Sequence, residues 1–225
     1  MPASFYRRYG KRCLDALLAF VGLILFAPVF AIIGVAVWLD SAGSIFFRQV
    51  RTGRGGSPFR IFKFRSMRVV NSAHPSLITA AGDPRITRVG RFLRKTKLDE
   101  LPQLINVLLG DMSLVGPRPE VSRYTSTYTP AQLPVLAVRP GITGPTALVC
   151  VNEEEILAQQ KDAEGYYKQV LLPAKLQLDL VYCQNIRLRS DLRFILQTVS
   201  KIFFRKPSRS AAFHALQDRP EDLRL

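Results

Sequence analysis

The chain of 225 residues carries 32 Lys plus Arg against 17 Asp plus Glu, a formal net charge of +15, while 48% of its residues are hydrophobic. With 10% aromatic and only 22% charged residues, the composition excludes a disordered chain and leaves material for a real core. The surplus positive charge calls for anionic partners: nucleic acid, an anionic membrane surface or phosphate-bearing substrates.

The first element is an apolar run, residues 16–39, in which no side chain is charged. Arg7, Arg8, Lys11, Arg12 and Asp15 precede it, and Asp40, Arg48, Arg51 and Arg54 follow. The run exceeds the roughly 7–15 apolar residues of a signal peptide and reaches the roughly 20 that a spanning helix needs. Two features oppose simple spanning. Basic residues flank both ends, and the rule that keeps Lys and Arg cytoplasmic then wants both ends on one side. Pro28 sits at the midpoint, where it removes a backbone hydrogen bond and kinks or breaks a helix. Each half, 16–27 and 28–39, would be about 18 Å long at ~1.5 Å per residue, enough to reach the bilayer midplane and no further. On the residues alone, a re-entrant helical hairpin, a spanning helix and a buried soluble helix all stay open.

Residues 48–97 hold 13 of the 32 basic residues and one acid, Asp83, for a net +12. The stretch from Arg51 to Met67 reads as a turn feeding a strand, with Phe59, Ile61, Phe62 and Phe64 too mixed to give one clean face. Its basic side chains suit a face lying on anionic headgroups, at about 1 kcal/mol per charge, and equally a phosphate site. Residues 97–110 predict a short amphipathic helix. Asp99 is placed to cap it, Pro102 lies in the first turn, Leu101, Leu104, Ile105 and Leu108 form the stripe, and Gly110 closes it. Val115-Gly-Pro-Arg-Pro-Glu120 and Arg139-Pro-Gly-Ile-Thr-Gly144 are rigid turns, the first presenting a single arginine, Arg118, between Pro117 and Pro119. Helices are expected over 152–158, 164–185 and 190–204, the last amphipathic enough to pack on the core or lie in a membrane interface. A polar tail, 206–225, ends the chain.

Cys13, Cys150 and Cys183 are odd in number and widely spaced, which indicates neither a disulfide framework nor a zinc site and fits a reducing compartment. His74 and His214 lack neighbours at ligand spacing, so histidine chemistry is not expected. Taken alone, Asp99-Glu100 is most simply a helix cap with a dipole-complementing charge. Its neighbours Arg91, Arg94, Lys95 and Lys97 change that reading. Phosphoryl transfer needs an oxygen nucleophile or base, positive groups to spread transition-state charge, and usually a divalent ion bridging carboxylate and phosphate oxygens. A carboxylate can itself be the covalent nucleophile. The competing reading is a non-catalytic basic protein that docks on anionic membrane or nucleic acid.

One ordered set of motifs is specific: the proline-centred apolar segment, Phe62-Lys63-Phe64-Arg65-Ser66-Met67, Arg94 through Leu98-Asp99-Glu100-Leu101-Pro102-Gln103 to Ser113, then Val115-Gly-Pro-Arg-Pro-Glu120 and Arg139-Pro-Gly-Ile-Thr-Gly144. Over about residues 5–205 the chain resembles the bacterial sugar transferase family of monotopic phosphoglycosyl transferases. The resemblance implies an α+β, mostly helical fold. Residues 1–40 would form a re-entrant membrane hairpin broken at Pro28, and residues 41–205 a compact catalytic domain with interfacial amphipathic helices. Both hairpin ends would lie on the cytoplasmic face of the bacterial inner membrane.

The activity it implies is transfer of a sugar 1-phosphate from a UDP-sugar to polyprenyl (undecaprenyl) phosphate, releasing UMP, as the first membrane step of glycoconjugate or polysaccharide synthesis. Asp99 would be the covalent nucleophile and Mg²⁺ ligand, and Glu100 its dyad partner. Lys63 and Arg94 would assist phosphate binding, Arg118 with Pro117 and Pro119 would contact the nucleotide-sugar, and Asp179 matches a further polar position of the substrate site. Nucleic acid is not an implied partner; downstream glycosyltransferases are candidates. The chain departs from the family pattern in two places. Ala27-Pro28 stands where many relatives have Ser-Pro, and Pro145-Thr-Ala-Leu-Val-Cys-Val-Asn-Glu-Glu154 replaces their Trp-Ala-Gln-Val-Asn-Gly, so sugar recognition does not transfer.

Overall fold

A computed structural model of the chain describes residues 5–68, 79, 82–150 and 152–203. His74, His214 and the expected tail 206–225 lie outside these. The chain starts with two helices, α1 (Lys11–Leu25) and α2 (Ala27–Asp40), which with the turn Tyr6–Gly10 form a pair bent by 62°. The bend falls at Phe26, two residues before the proline, where φ is −90° and ψ 3°. Pro28 then occupies the first turn of α2, where a missing N–H costs nothing. No single described helix is long and apolar enough to cross a membrane, although the bent pair passes that test together.

Each helix buries one narrow face. Ala19 of α1 packs with Ile61, Leu104, Val107 and Met112, while Ile33 and Val37 of α2 pack with Phe64 and Leu93. The remaining faces leave Leu17, Phe20, Ile24, Leu25, Ile32, Val35, Trp38 and Leu39 exposed.

Strands β1 (Phe46–Thr52) and β2 (Pro58–Phe64) pair antiparallel from Phe46↔Phe64 to Thr52↔Pro58 across a tight turn with Gly55 and Gly56 at positive φ. The expected turn-then-strand is therefore the second half of a hairpin. β1 escapes the pattern because only Thr52 of its seven residues is buried, so no alternation marks it. Helix α3 (Arg88–Thr96) follows, capped by Thr87, whose hydroxyl accepts from the Gly90 N–H. The Asp40 carboxylate at the end of α2 accepts a second orphan N–H, that of Val89. Gly90 lies so close to the Ser66 carbonyl that no side chain fits between them.

Helix α4 (Gln103–Leu109) ends on Gly110 at φ 97°, as the sequence predicts. Its start differs from expectation: residues 98–100 form a separate 3₁₀ turn, and Pro102, not Asp99, occupies the N-cap position. Strands β3 (Ser113–Val115) and β4 (Gly141–Thr143) pair in parallel. Short helices α5 (Ser122–Thr125), α6 (Pro145–Val149), α7 (Glu153–Ala158) and α8 (Ala163–Tyr166) surround the long α9 (Leu172–Gln184) and α10 (Leu188–Phe203). The largest core gathers Leu171, Leu172, Leu176 and Tyr182 against Val115, Val121, Tyr124, Leu157 and Phe194. The fold is α+β and predominantly helical, with two two-stranded sheets among the described residues.

The hairpin is locked to this domain by polar contacts at its base. Asp191 of α10 is buried and accepts from Lys11 Nζ (2.6 Å), the Tyr6 hydroxyl (2.7 Å) and the Tyr182 hydroxyl (2.8 Å). Asp15 of α1 accepts from the Ser113 hydroxyl (2.7 Å) and the Leu114 N–H (3.2 Å).

Candidate active site

The site is built where three chain segments converge. At the end of α3, Lys97 adopts the left-handed conformation at φ 59°, alone among the described non-glycine residues, and reverses the chain. The 3₁₀ turn that follows drives Leu98 and Leu101 against the Phe64–Leu93 cluster and carries Asp99 and Glu100 inward. Both carboxylates are buried. Lys63 arrives from β2, whose pairing fixes its height, and Arg118 arrives from the rigid loop after β3.

The two acids have opposite surroundings. Glu100 accepts from Lys63 Nζ at 2.8 Å and from Arg118 Nη2 at 2.7 Å, with Arg118 Nη1 at 3.4 Å from its second oxygen. Burial works against its charge, but Arg118 and Lys63 together hold the carboxyl well below the usual carboxylate range. Asp99 Oδ1 is buried with no hydrogen-bond partner. Burial pushes Asp99 up, and its more distant neighbours Lys63, Lys97 and Arg94 only partly offset this. A carboxylate oxygen without partners, beside concentrated positive charge, is poised to accept an electrophile or a cation.

The Arg118 loop is held from beneath. Gly116 N–H donates to the Thr143 carbonyl, Gly141 N–H to the Pro117 carbonyl, and Arg51 to the Pro119 carbonyl. Asp179 of α9 accepts the backbone N–H of Arg118 and the Thr146 hydroxyl at 2.6 Å, and burial pushes its carboxyl up to about 7. Asp179 therefore sits behind the loop and positions Arg118 through its backbone. Arg94, by contrast, meets neither carboxylate of the dyad. Its Nη2 donates to Glu154 of α7 at 2.6 Å, its Nη1 lies 3.8 Å from Met67 Sδ, and its buried Nε has no partner.

Residues 6–205 match the family of bacterial sugar transferases. The chain belongs to this family. It is 40% identical to a UDP-glucose:undecaprenyl-phosphate glucose-1-phosphate transferase of Caulobacter vibrioides, covering 85% of this chain and 69% of that protein. It is 37% identical to a protein of the same description from Escherichia coli, covering 91% of this chain and 42% of the relative. A UDP-N-acetylgalactosamine-undecaprenyl-phosphate N-acetylgalactosaminephosphotransferase of Aeromonas hydrophila is 36% identical, with coverages of 90% and 45%. The chain thus spans less than half the length of the last two.

In this sugar transferase a buried network behind Arg118 escaped the sequence reading. Lys175 Nζ on α9 reaches Glu120 (3.2 Å), the Tyr167 hydroxyl (3.0 Å) and Glu153 (3.2 Å), and Tyr167 donates to Glu120. The available signal was a lysine on the apolar face between Leu172 and Leu176. The chemistry of Mg²⁺ sets what a site for it requires. It takes oxygen ligands, keeps waters, and usually combines one or two carboxylates with substrate phosphates. No group of three or more His, Cys, Asp or Glu at metal spacing occurs among the described residues. The unpartnered Asp99 oxygen fits a one-carboxylate site completed by phosphate oxygens, not a protein-only cage.

Proposed function

We propose that this protein transfers a sugar 1-phosphate from a UDP-sugar to a polyprenyl phosphate, releasing UMP, with Asp99 as covalent nucleophile. The observation that carries the reading is the division of labour within the dyad. Glu100 is neutralised by Lys63 and Arg118, while the Asp99 oxygen is left open. The printed activities of the Caulobacter and Aeromonas relatives support the substrate classes.

In the first step an Asp99 oxygen attacks the phosphorus that bears the sugar. The bond from that phosphorus to the bridging oxygen breaks, and UMP departs with the electron pair. In the second step an oxygen of the lipid phosphate attacks the same phosphorus, the bond to Asp99 breaks, and the carboxylate returns. Arg118, held by Asp179 and Glu100, offers its remaining donors to the donor phosphates, and Lys63 adds charge at the same point. Asp99 would hold Mg²⁺ with the substrate phosphates, and the ion would supply neutralising charge to the transferring group.

A lipid acceptor places the reaction at a membrane, and the bent helix pair supports a re-entrant hairpin. Its apolar side chains point outward, Trp38 lies exposed near the end of α2 as interfacial tryptophans do, and basic residues precede and follow it. Both ends would then face the cytoplasm, with the exposed apolar side chains Leu188, Leu192, Leu196 and Val199 of α10 in the interface.

Incubating the full chain with polyprenyl phosphate, Mg²⁺ and a panel of UDP-sugars tests the activity. UMP release from at least one donor is expected, falling more than about 1,000-fold in Asp99→Asn. Release from no donor, or an active Asp99→Asn variant, overturns the assignment.

A further inference from the structure

The charge of Arg94 acts on Asp99, yet an internal carboxylate already holds one of its nitrogens. That carboxylate, Glu154, belongs to α7, a six-residue helix whose first turn is Glu153-Glu154-Glu155. Glu153 reaches the other way, to Lys175 on α9, so the helix ties α3 to α9 beside the site.

The two carboxylates that meet site arginines differ in how readily they can be displaced. The Glu100 side chain is 10% exposed and is shared by Lys63 and Arg118. The Glu154 side chain is 37% exposed and is held by Arg94. The Arg94 side chain is 19% exposed, so water reaches the pair mainly from the Glu154 side and screens it in part, and a phosphate carrying more charge competes with the carboxylate for the same guanidinium. Arg94 also keeps a buried Nε–H with no acceptor, an unmet donor that an incoming oxyanion would satisfy. Helix α7 buries Leu157 at its far end, so release of Glu154 would loosen its first turn while that end stays seated.

We propose that Glu154 is a latch: it occupies Arg94 in the substrate-free enzyme and surrenders it to a phosphate of the donor diphosphate, loosening α7 when the site fills. The proposal rests on the reading of Arg94 as a phosphate ligand. Glu154 is a positioning residue in this scheme; it touches Arg94 and not the reacting atoms.

Inorganic pyrophosphate, a diphosphate with no sugar to transfer, separates the latch from turnover. Its affinity is measured by titration calorimetry on the full chain in nanodiscs, for wild type, Glu154→Gln and Glu155→Gln. Glu155 lies on the same helix, is exposed, and changes the net charge equally. Glu154→Gln is expected to bind pyrophosphate about 3- to 10-fold more tightly than wild type, with Glu155→Gln within twofold of wild type. Amide exchange across α7 is expected to quicken when pyrophosphate is added to wild type. A strut that merely stabilises the site would give weaker binding in Glu154→Gln, and that result overturns the latch. Equal gains in both variants overturn it too, because they reduce the effect to bulk charge. Absence of pyrophosphate binding in every protein also overturns it, while UMP release by the same preparations would leave the transferase reading standing.

Discussion

Asp99 and Glu100 are adjacent in sequence and chemically opposed in the fold, because one faces two cations and the other faces none at bonding distance. Adjacency made a helix cap the simplest expectation for Asp99; the left-handed turn at Lys97 removes it from the cap position and buries it. Asp179 shows the same dependence on surroundings. Its carboxyl titrates at about 7 in the fold against an ordinary value of 3.8, since burial outweighs the Thr146 and Arg118 hydrogen bonds. The protonated form is therefore the one the fold prefers. The resulting stability is fully present below about pH 4 and is lost as pH rises through about 7. Asp179→Asn cannot titrate, so the melting temperature of wild type should fall relative to this variant between pH 4 and 7 by several degrees and run parallel above pH 8. Parallel curves throughout would show that Asp179 does not titrate in that window.

At the scale of elements, α3 decides where Arg94 and the dyad turn lie, and beside the Asp40–Val89 bond and the Leu93 packing its seat includes one contact that admits no side chain. Gly90 passes the Ser66 carbonyl at a separation that admits no β-carbon, and the neighbouring atoms are backbone that cannot rotate away. Gly90→Ala must therefore shift α3, at a cost of roughly 1–3 kcal/mol. The expected outcome is a lower unfolding temperature together with a raised donor KM, since Arg94 moves with the helix. An unchanged KM in a folded Gly90→Ala protein would separate the seat of α3 from the site. This helix is not among those expected from the sequence. Arg88, Arg91, Arg94 and Lys95 dominate its composition, while Val89, Gly90 and Leu93 turn inward; this one-sided helical pattern was present but was read only as part of the long basic stretch. Strand β1 was missed because only its last residue, Thr52, is buried, so no alternate face marks it.

For the whole molecule, the bent pair α1–α2 and the domain form one unit through Asp191, Asp15 and two hydrophobic seams. In the re-entrant reading proposed above, Arg8 and Ser57 would lie on one side of a bilayer. Single cysteines introduced at these exposed positions should both react with an impermeant maleimide only after the inner membrane is opened, whereas labelling of one from outside would mean that the pair spans. The sequence by itself determined the broken apolar segment, the basic stretch beside it, the ordered motifs around Asp99, Glu100 and Arg118, and the helices from residue 152 onward. These are carried by local composition, by proline and glycine, and by periodicity within single elements. Only the tertiary structure decided that the bend lies at Phe26 before the proline, that Glu100 and not Asp99 is the neutralised acid, and that Asp179 works through the Arg118 backbone. It likewise decided that Lys175 and Glu120 pair behind the loop and that Glu154 holds Arg94. Each of these pairings joins positions tens of residues apart or depends on which oxygen is left dry, and hydrogen bonds and desolvation act through space, where sequence spacing carries no information.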